Sequence, residues 1–200
     1  MKKFELTSEF VPFLGKKFFR IKALVAFGDV KEGELGGFVE KEENLDQSGD
    51  AWVFGDAQVF GDAQVSGNAR VSGNARVFGD AQVFGNARVF GNALVFGNAR
   101  VSGNAQVFGD AQVFGDAQVF GDAHIQCCRD CSAASCFGSE NRTTTFFREK
   151  DGGIGVRCGC FYGTMSEFRE KVKERHGDSR LAKEYLMLAD LMEFRLSKDE

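Results

Sequence analysis

Few side chains of this 200-residue chain have the types and spacing to do chemistry, and most of them sit late in the sequence. All six cysteines follow residue 126: Cys127, Cys128, Cys131, Cys136, Cys158 and Cys160. Cys128-Arg-Asp-Cys131 together with Cys158-Gly-Cys160 offers four thiolates, the donor set of a tetrahedral structural zinc site. Cys128, Cys131, Cys158 and Cys160 are therefore the candidate metal ligands. Against zinc stands the second pair, spaced Cys-x-Cys where Cys-x-x-Cys is usual, and inward thiols on strands also serve as small hydrophobes. No charged-then-apolar leader opens the chain, so reduced thiols are expected rather than a disulfide framework. The two histidines are His124 and His176. His176 precedes Gly177 at the end of an expected helix, where a cationic tip favours the dipole and capping is the simpler role.

Acidic and amide side chains recur with a fixed step. Asp50, Asn68, Asn86, Asn104 and Asp122 are 18 residues apart, as are Asp56, Asn74, Asn92 and Asp110, and Asp62, Asp80, Asn98 and Asp116. If such residues stack, carboxylates one level apart repel, and interleaved asparagines limit that cost. A calcium ladder is disfavoured because the Gly-Gly-x-Gly-x-Asp spacing of calcium-binding rolls is absent.

These residues belong to thirteen consecutive hexads, Gly49 to Gln126, that read Gly-Asp/Asn-Ala-x-Val-x almost without interruption. Ala-x-Val is the period-2 pattern of a short strand with Ala and Val facing the core. Gly-Asp/Asn supplies a corner, because Gly takes positive φ without cost and Asn or Asp tolerates the left-handed region. One such unit cannot bury its face alone, so units wind into a tube whose levels hydrogen-bond to one another.

The Val-x-Gly-Asp/Asn-Ala-x hexad resembles the repeat of left-handed parallel β-helices, in which three hexads make one triangular coil. The resemblance implies a mainly β fold of about 4 regular coils of 18 residues, roughly 21 Å tall at a strand spacing of about 4.8 Å. It also places the residue after each Val outside, near a corner. The outward columns are then Phe60, Phe78, Phe96, Phe114; Phe54, Ser72, Phe90, Phe108, Gln126; and Ser66, Phe84, Ser102, Phe120. The simpler reading of the unbroken column is packing between levels. The sharper one is an oligomer interface of Phe60, Phe78, Phe96 and Phe114 flanked by Leu94, the one aliphatic residue in the variable slot, since exposed apolar patches mark contacts.

Around the repeats the pattern changes. Residues 1–48 read as an N-terminal cap: an irregular lead-in to Leu14, a strand from Lys17 to Phe27 turned by Gly28-Asp29, and degenerate hexads over Lys31–Asp46, with Val39 and Leu45 six apart and Leu45 six before Ala51. Trp52 is expected to pack under this cap. Residues 127–141 read as a Cys-rich linker, and 142–200 as a small ββαα module, which could pack on the last coil or stand apart. Its hairpin joins Arg142–Arg148 to Gly153–Tyr162, and its helices start at the capping box Thr164-Met-Ser-Glu167 and at Ser179.

LGGFVEKEENL (35–45), TTTFFREKDGGIGVRCGCFYG (143–163) and ERHGD (174–178) together resemble hexapeptide-repeat proteins encoded by bacteriophages and prophages, described as polymer-forming or transferase-like. That resemblance implies a phage or prophage setting and little chemistry; the cytoplasm of a bacterial host is the default where no leader or membrane-spanning run is read, and the β-helix resemblance favours a homo-oligomer, with a trimer first. Hexapeptide acyltransferases share the β-helix and use a histidine between trimer subunits as general base. Here His124 is alone in the repeats, and no loop interrupts the hexads to build an acceptor pocket. Related carbonic anhydrases need three zinc histidines, and ice binding needs flat Thr ladders; neither is present.

The net charge of −4 divides as −1 for residues 1–48, −3 for the repeats and 0 for the remainder. No segment carries the basic stripe of a nucleic-acid binder, and no apolar run is long enough to span a membrane. The expectation is a non-enzymatic, self-associating scaffold without cofactor that presents residues 142–200 to a host or phage protein partner. An acetyl-coenzyme A-dependent acyltransferase is the second reading, and an accessory inhibitor of a host enzyme the third.

Overall fold

Each hexad folds as one two-residue strand and one bend. The computed structural model describes residues 2–13 and 15–197, so the readings that touch Met1, Leu14 and 198–200 lie partly outside it. The hexad strands are the fourth and fifth residues of successive hexads, numbered at six-residue steps from β4 (Trp52–Val53) and β5 (Gln58–Val59) through β10 (Arg88–Val89) to β16 (His124–Ile125), and each as far as β13 (Gln106–Val107) pairs in parallel with the strand 18 residues on, as Arg88 with Gln106 and Val89 with Val107. Three parallel sheets result, one per face: β5-β8-β11-β14, β4-β7-β10-β13-β16 and β6-β9-β12-β15. With the degenerate first coil this is a parallel β-solenoid of about 5 turns. The Ala and Val of the hexads are 0 to 3% exposed, which makes the interior a column of small and branched side chains.

The corners show why Gly is required. Gly103 has φ +72°, and a Cβ there would lie 2.8 Å from the backbone nitrogen of Gly121 in the next coil. The Asx columns do more than limit repulsion. Each Asn donates its amide to the next level: Asn68 to Asn86 (3.1 Å), Asn86 to Asn104 (3.1 Å) and Asn104 to the Asp122 carboxylate (3.0 Å).

Before the repeats the chain is more ordered than the sequence suggests. β1 (Phe4–Phe13), β2 (Lys16–Ala23) and β3 (Leu35–Val39) form an antiparallel meander whose last strand pairs in parallel with β5. The lead-in is thus a strand and not irregular; its phenylalanines and Val11 pair across to β2, while a bulge between Leu6 and Phe10 and the lone Pro12 blunt the free edge. Gly36 and Gly37 are forced by contact: a Cβ on either would come within 2.6 Å of the first coil, at Val53 O and Ala57 O.

Leu45, like Val39 six residues before it, fills a Val slot, so its six-residue offset from Ala51 is not a hexad step. It bridges Val65, occupying a Val slot, and the first coil has two extra residues. Those residues widen the corner so that Gln47 reaches β1, accepting from Lys3 N (2.8 Å) and Phe4 N (3.3 Å) and donating to Phe4 O (3.3 Å). Trp52 does lie under the cap, fully buried, with Phe27 and Phe4 edge-on at 5.4 and 6.1 Å. The Lys3 ammonium closes the top by donating to the carbonyls of Ala51 (3.0 Å), Ser48 and Gly49 (both 3.3 Å).

At the other end the expected linker carries strand β17 (Cys131–Phe137), because Ser132, Ala133 and Ala134 find partners across from β18 (Arg142–Arg148). The single strand expected over Gly153–Tyr162 folds back on itself at Gly159 (φ +59°), giving β19 (Ile154–Cys158) and β20 (Phe161–Thr164). The module is therefore a four-stranded antiparallel sheet with helices α1 (Met165–His176) and α2 (Arg180–Leu196). Both predicted caps form: Thr164 and Glu167 make the reciprocal capping box, and the Ser179 hydroxyl accepts from Ala182 N. The module docks on the last coil. Phe147 is fully buried against the end of the solenoid interior, and Thr145 Oγ1 accepts from Gln118 N at 2.9 Å.

Candidate functional site

The Phe60, Phe78, Phe96, Phe114 column forms as the 18-residue step requires. Successive rings stack at 5.0, 5.0 and 5.3 Å, the first two pairs within 2° of parallel. The stack continues into the cap, where Phe18 lies 4.8 Å from Phe60. Because each ring covers the next, Phe60, Phe78 and Phe96 are half-buried, and only Phe114, at the open end, is 56% exposed. Leu94 is half-buried beside the column, paired with Arg76 and Gln112. His124 packs edge-on to Phe108 at 4.6 Å on the last level.

The outward slots of the repeats hold Gln, Arg, Phe and Ser with Leu94 and His124, and the interior holds Ala, Val, Ile125 and the terminal plugs. The repeated segment matches the family model of the YdcK β-solenoid repeat at residues 63–79, 69–83 and 81–95. The chain is a β-solenoid repeat protein. Comparison with curated proteins gives no match. Among the described residues, no helix is long and apolar enough to cross a membrane.

The solenoid does not gather the four thiols proposed for zinc. Cys128 and Cys131 line a groove at its end with Phe114, Ala133 and Arg195, and the Cys128 thiol is 3.9 Å from the Asp110 carbonyl. Cys158 and Cys160 lie on the far side of the module sheet's β18. In register, Ala134 pairs with Thr144 and Thr144 with Cys158, while Cys131 is three residues further along β17. At about 4.8 Å between strands and about 3.4 Å per residue, Cys131 and Cys158 are roughly 14 Å apart. Thiolates on one zinc lie about 4 Å apart. Among the described residues no cluster of three or more metal-binding side chains occurs. Burial pushes the Cys131 thiol up to about 12, with the Asp130 carboxylate adding to the effect.

Two features of the module were not read from the sequence. The first is a stripe on α2. Tyr185, Leu188 and Met192 face inward, but Met187, Leu191 and Phe194 on the other side are 71, 57 and 83% exposed. The signal was present: RLAKEYLMLADLMEFRL is apolar on both sides, which a helix packed on one face alone does not need.

The second is a pocket of about 380 Å³ between α1, α2 and two turns. Phe168, Lys171, Val172, Arg175 and His176 recur on one face of α1, opposite Arg142, the Cys158–Phe161 turn and Tyr185. Phe168 and Val172 are buried and form the floor with Phe161 and Tyr185. The Tyr185 ring stacks on His176 at 5.7 Å, and its hydroxyl occupies the space a Cβ on Gly138 would need. Burial raises the Tyr185 pKa, reinforced by the neighbouring Cys158 thiol. Thr144 Oγ1 donates to Cys158 Sγ at 3.2 Å. Of the lining, the sequence offers Cys158 and Cys160 as thiols and His176 as a cap, but the turns that complete the pocket are far apart in the chain.

Proposed function

We propose that this β-solenoid repeat protein is a non-enzymatic scaffold that self-associates through its C-terminal end and holds the module rigidly for a protein partner. One observation carries the reading: Met187, Leu191 and Phe194 are the three most exposed large hydrophobics of the described residues and follow one another at steps of four and three on a single helix. That spacing makes the seam of a helix pair, so a second copy of α2 is the fitting occupant. The groove beside it supports the same contact, since Arg195 of α2 lines it together with Phe114, the open end of the ring stack. The ring stack itself is satisfied internally. A phage or prophage setting is supported by resemblance of the end motifs, and a trimer by resemblance of the hexads to left-handed β-helices.

Light scattering on three proteins tests this. The wild type is expected at a multiple of 21.9 kDa, Leu191→Glu with Phe194→Ser at the monomer mass, and Phe78→Ser with Phe96→Ser at the wild-type mass. A monomeric wild type sinks self-association. Loss of mass in the ring-stack variant alone moves the contact to the Phe column.

A further inference from the structure

The module pocket points to a ligand of its own, beyond the scaffold role. We infer that it is a binding site for a small organic anion with an apolar body. Its volume of about 380 Å³ lies within the range of small-molecule sites. The floor is aromatic and branched, from Phe161, Phe168, Val172 and Tyr185, and gives an apolar body a surface to cover.

The rim decides the charge. Residues 127–200 balance to zero overall, yet the ionisable lining carries Arg142, Lys171, Arg175 and His176 against one carboxylate, Glu140. This concentration of cations is local. Glu140 engages Arg142 only at 3.8 Å, with both side chains more than half exposed, and Lys171 is paired along its own helix with exposed Glu174. Such exposed pairs hold their partners weakly and yield to a ligand anion that binds with both a charge and a buried body. Among the described residues Arg175 has no acidic partner. It lies one turn beyond Lys171 on the same face of α1, so the two cations flank one edge of the pocket.

Two glycines at positive φ also shape the turns that line the pocket. Gly138 lets the β17–β18 turn close on the Tyr185 hydroxyl, and a Cβ on Gly159 would stand 3.3 Å from the Arg142 guanidinium. The two turns thus set the Arg142 guanidinium and the Tyr185 hydroxyl in the wall that faces α1. This arrangement is independent of the α2 stripe, whose side chains are absent from the lining.

Two fluorescent dyes with the same aromatic body separate charge from apolar binding: 8-anilinonaphthalene-1-sulfonate, an anion, and neutral N-phenyl-1-naphthylamine. The full chain is expected to bind the sulfonate one to one. Lys171→Glu with Arg175→Glu is expected to weaken the sulfonate by about tenfold or more and to leave the neutral dye within about twofold, at unchanged helical circular dichroism. Leu191→Glu with Phe194→Ser is expected to leave both dyes bound. The inference is overturned by absence of sulfonate binding, by equal loss of both dyes in the charge variant, or by loss of the sulfonate in the α2 variant. The last outcome places the dye on the stripe and leaves the association test above unaffected.

Discussion

At the level of single residues, the termini of the solenoid are held by charged groups in unusual places. Asp130 is one: its carboxylate accepts from Gln126 N and Cys127 N at 2.9 Å each and pairs with Arg148 at 2.9 Å, both side chains being mostly buried. Asp130→Ala leaves two donors and a guanidinium unpaired, and a loss of about 2 to 4 kcal/mol in denaturant unfolding is expected. In the middle of the coil Val83, fully buried, tolerates no charge; Val83→Asp is expected to cost several kcal/mol, and a near-native melting temperature would contradict the buried interior. Cys131 adds a pH dependence. Its folded pKa, about 12, stands above the ordinary 9.0, so the stability it contributes is complete below pH 9 and is lost as pH rises toward 12. Tyr162, raised to about 12 by burial and by its hydrogen bond to Glu149, acts in the same direction from pH 10 upward. Burial lowers the Lys3 pKa and acts oppositely. Comparing wild type with Cys131→Val cancels the common terms: the wild type is expected to lose melting temperature relative to the variant between pH 9 and 12, and a pH-independent difference would show that the thiol is not enclosed.

At the level of elements, the hexad strands, the ring column and both helix caps were legible because each depends on spacing within one stretch of chain. The elements that were not legible depend on partners far away. β1 looks irregular alone and becomes a strand because β2 lies beside it; β17 looks like a linker until β18 supplies its ladder. The two extra residues of the first coil lie between Leu45 and Ala51, where Gln47 bonds to the backbone of Lys3 and Phe4, a partner more than 40 residues away. The same distance in sequence hid the pocket, whose walls come from a hairpin turn, a second turn and two helices. The zinc reading failed in the opposite way, because two motifs that seem complementary on paper belong to positions roughly 14 Å apart in the sheet. Since stacked units contribute nearly additively, excision of residues 67–84 is expected to leave a folded protein in which Phe60 stacks on Phe96, with retained β circular dichroism. Phe78→Ser with Phe96→Ser removes the stacked pairs and is expected to lower stability by a few kcal/mol without loss of fold, because Ser already occupies this slot at residues 66, 72 and 102.

For the whole molecule, both ends of the tube are plugged, by Trp52, Phe4 and Lys3 at one and by Phe147 at the other. Truncation at residue 142 therefore opens the interior, and point variants on α2 or α1 are the cleaner probes of association and ligand binding. The direction of the rung hydrogen bonds has a mechanical meaning as well. Bonds such as Arg88 N to Ala105 O join one coil to the next, so a pull on the two ends loads them along their own length and in series. A solenoid held in this way gives way at the weakest coil and then at its neighbour. With about 3.4 Å gained per extended residue and one coil height of about 4.8 Å given up, each 18-residue coil releases roughly 55 Å of chain. In a single-molecule stretching record the repeats are expected to appear as a train of equal steps of that length at low force, whereas the four-stranded sheet and helices of the module should release separately as one event of different size.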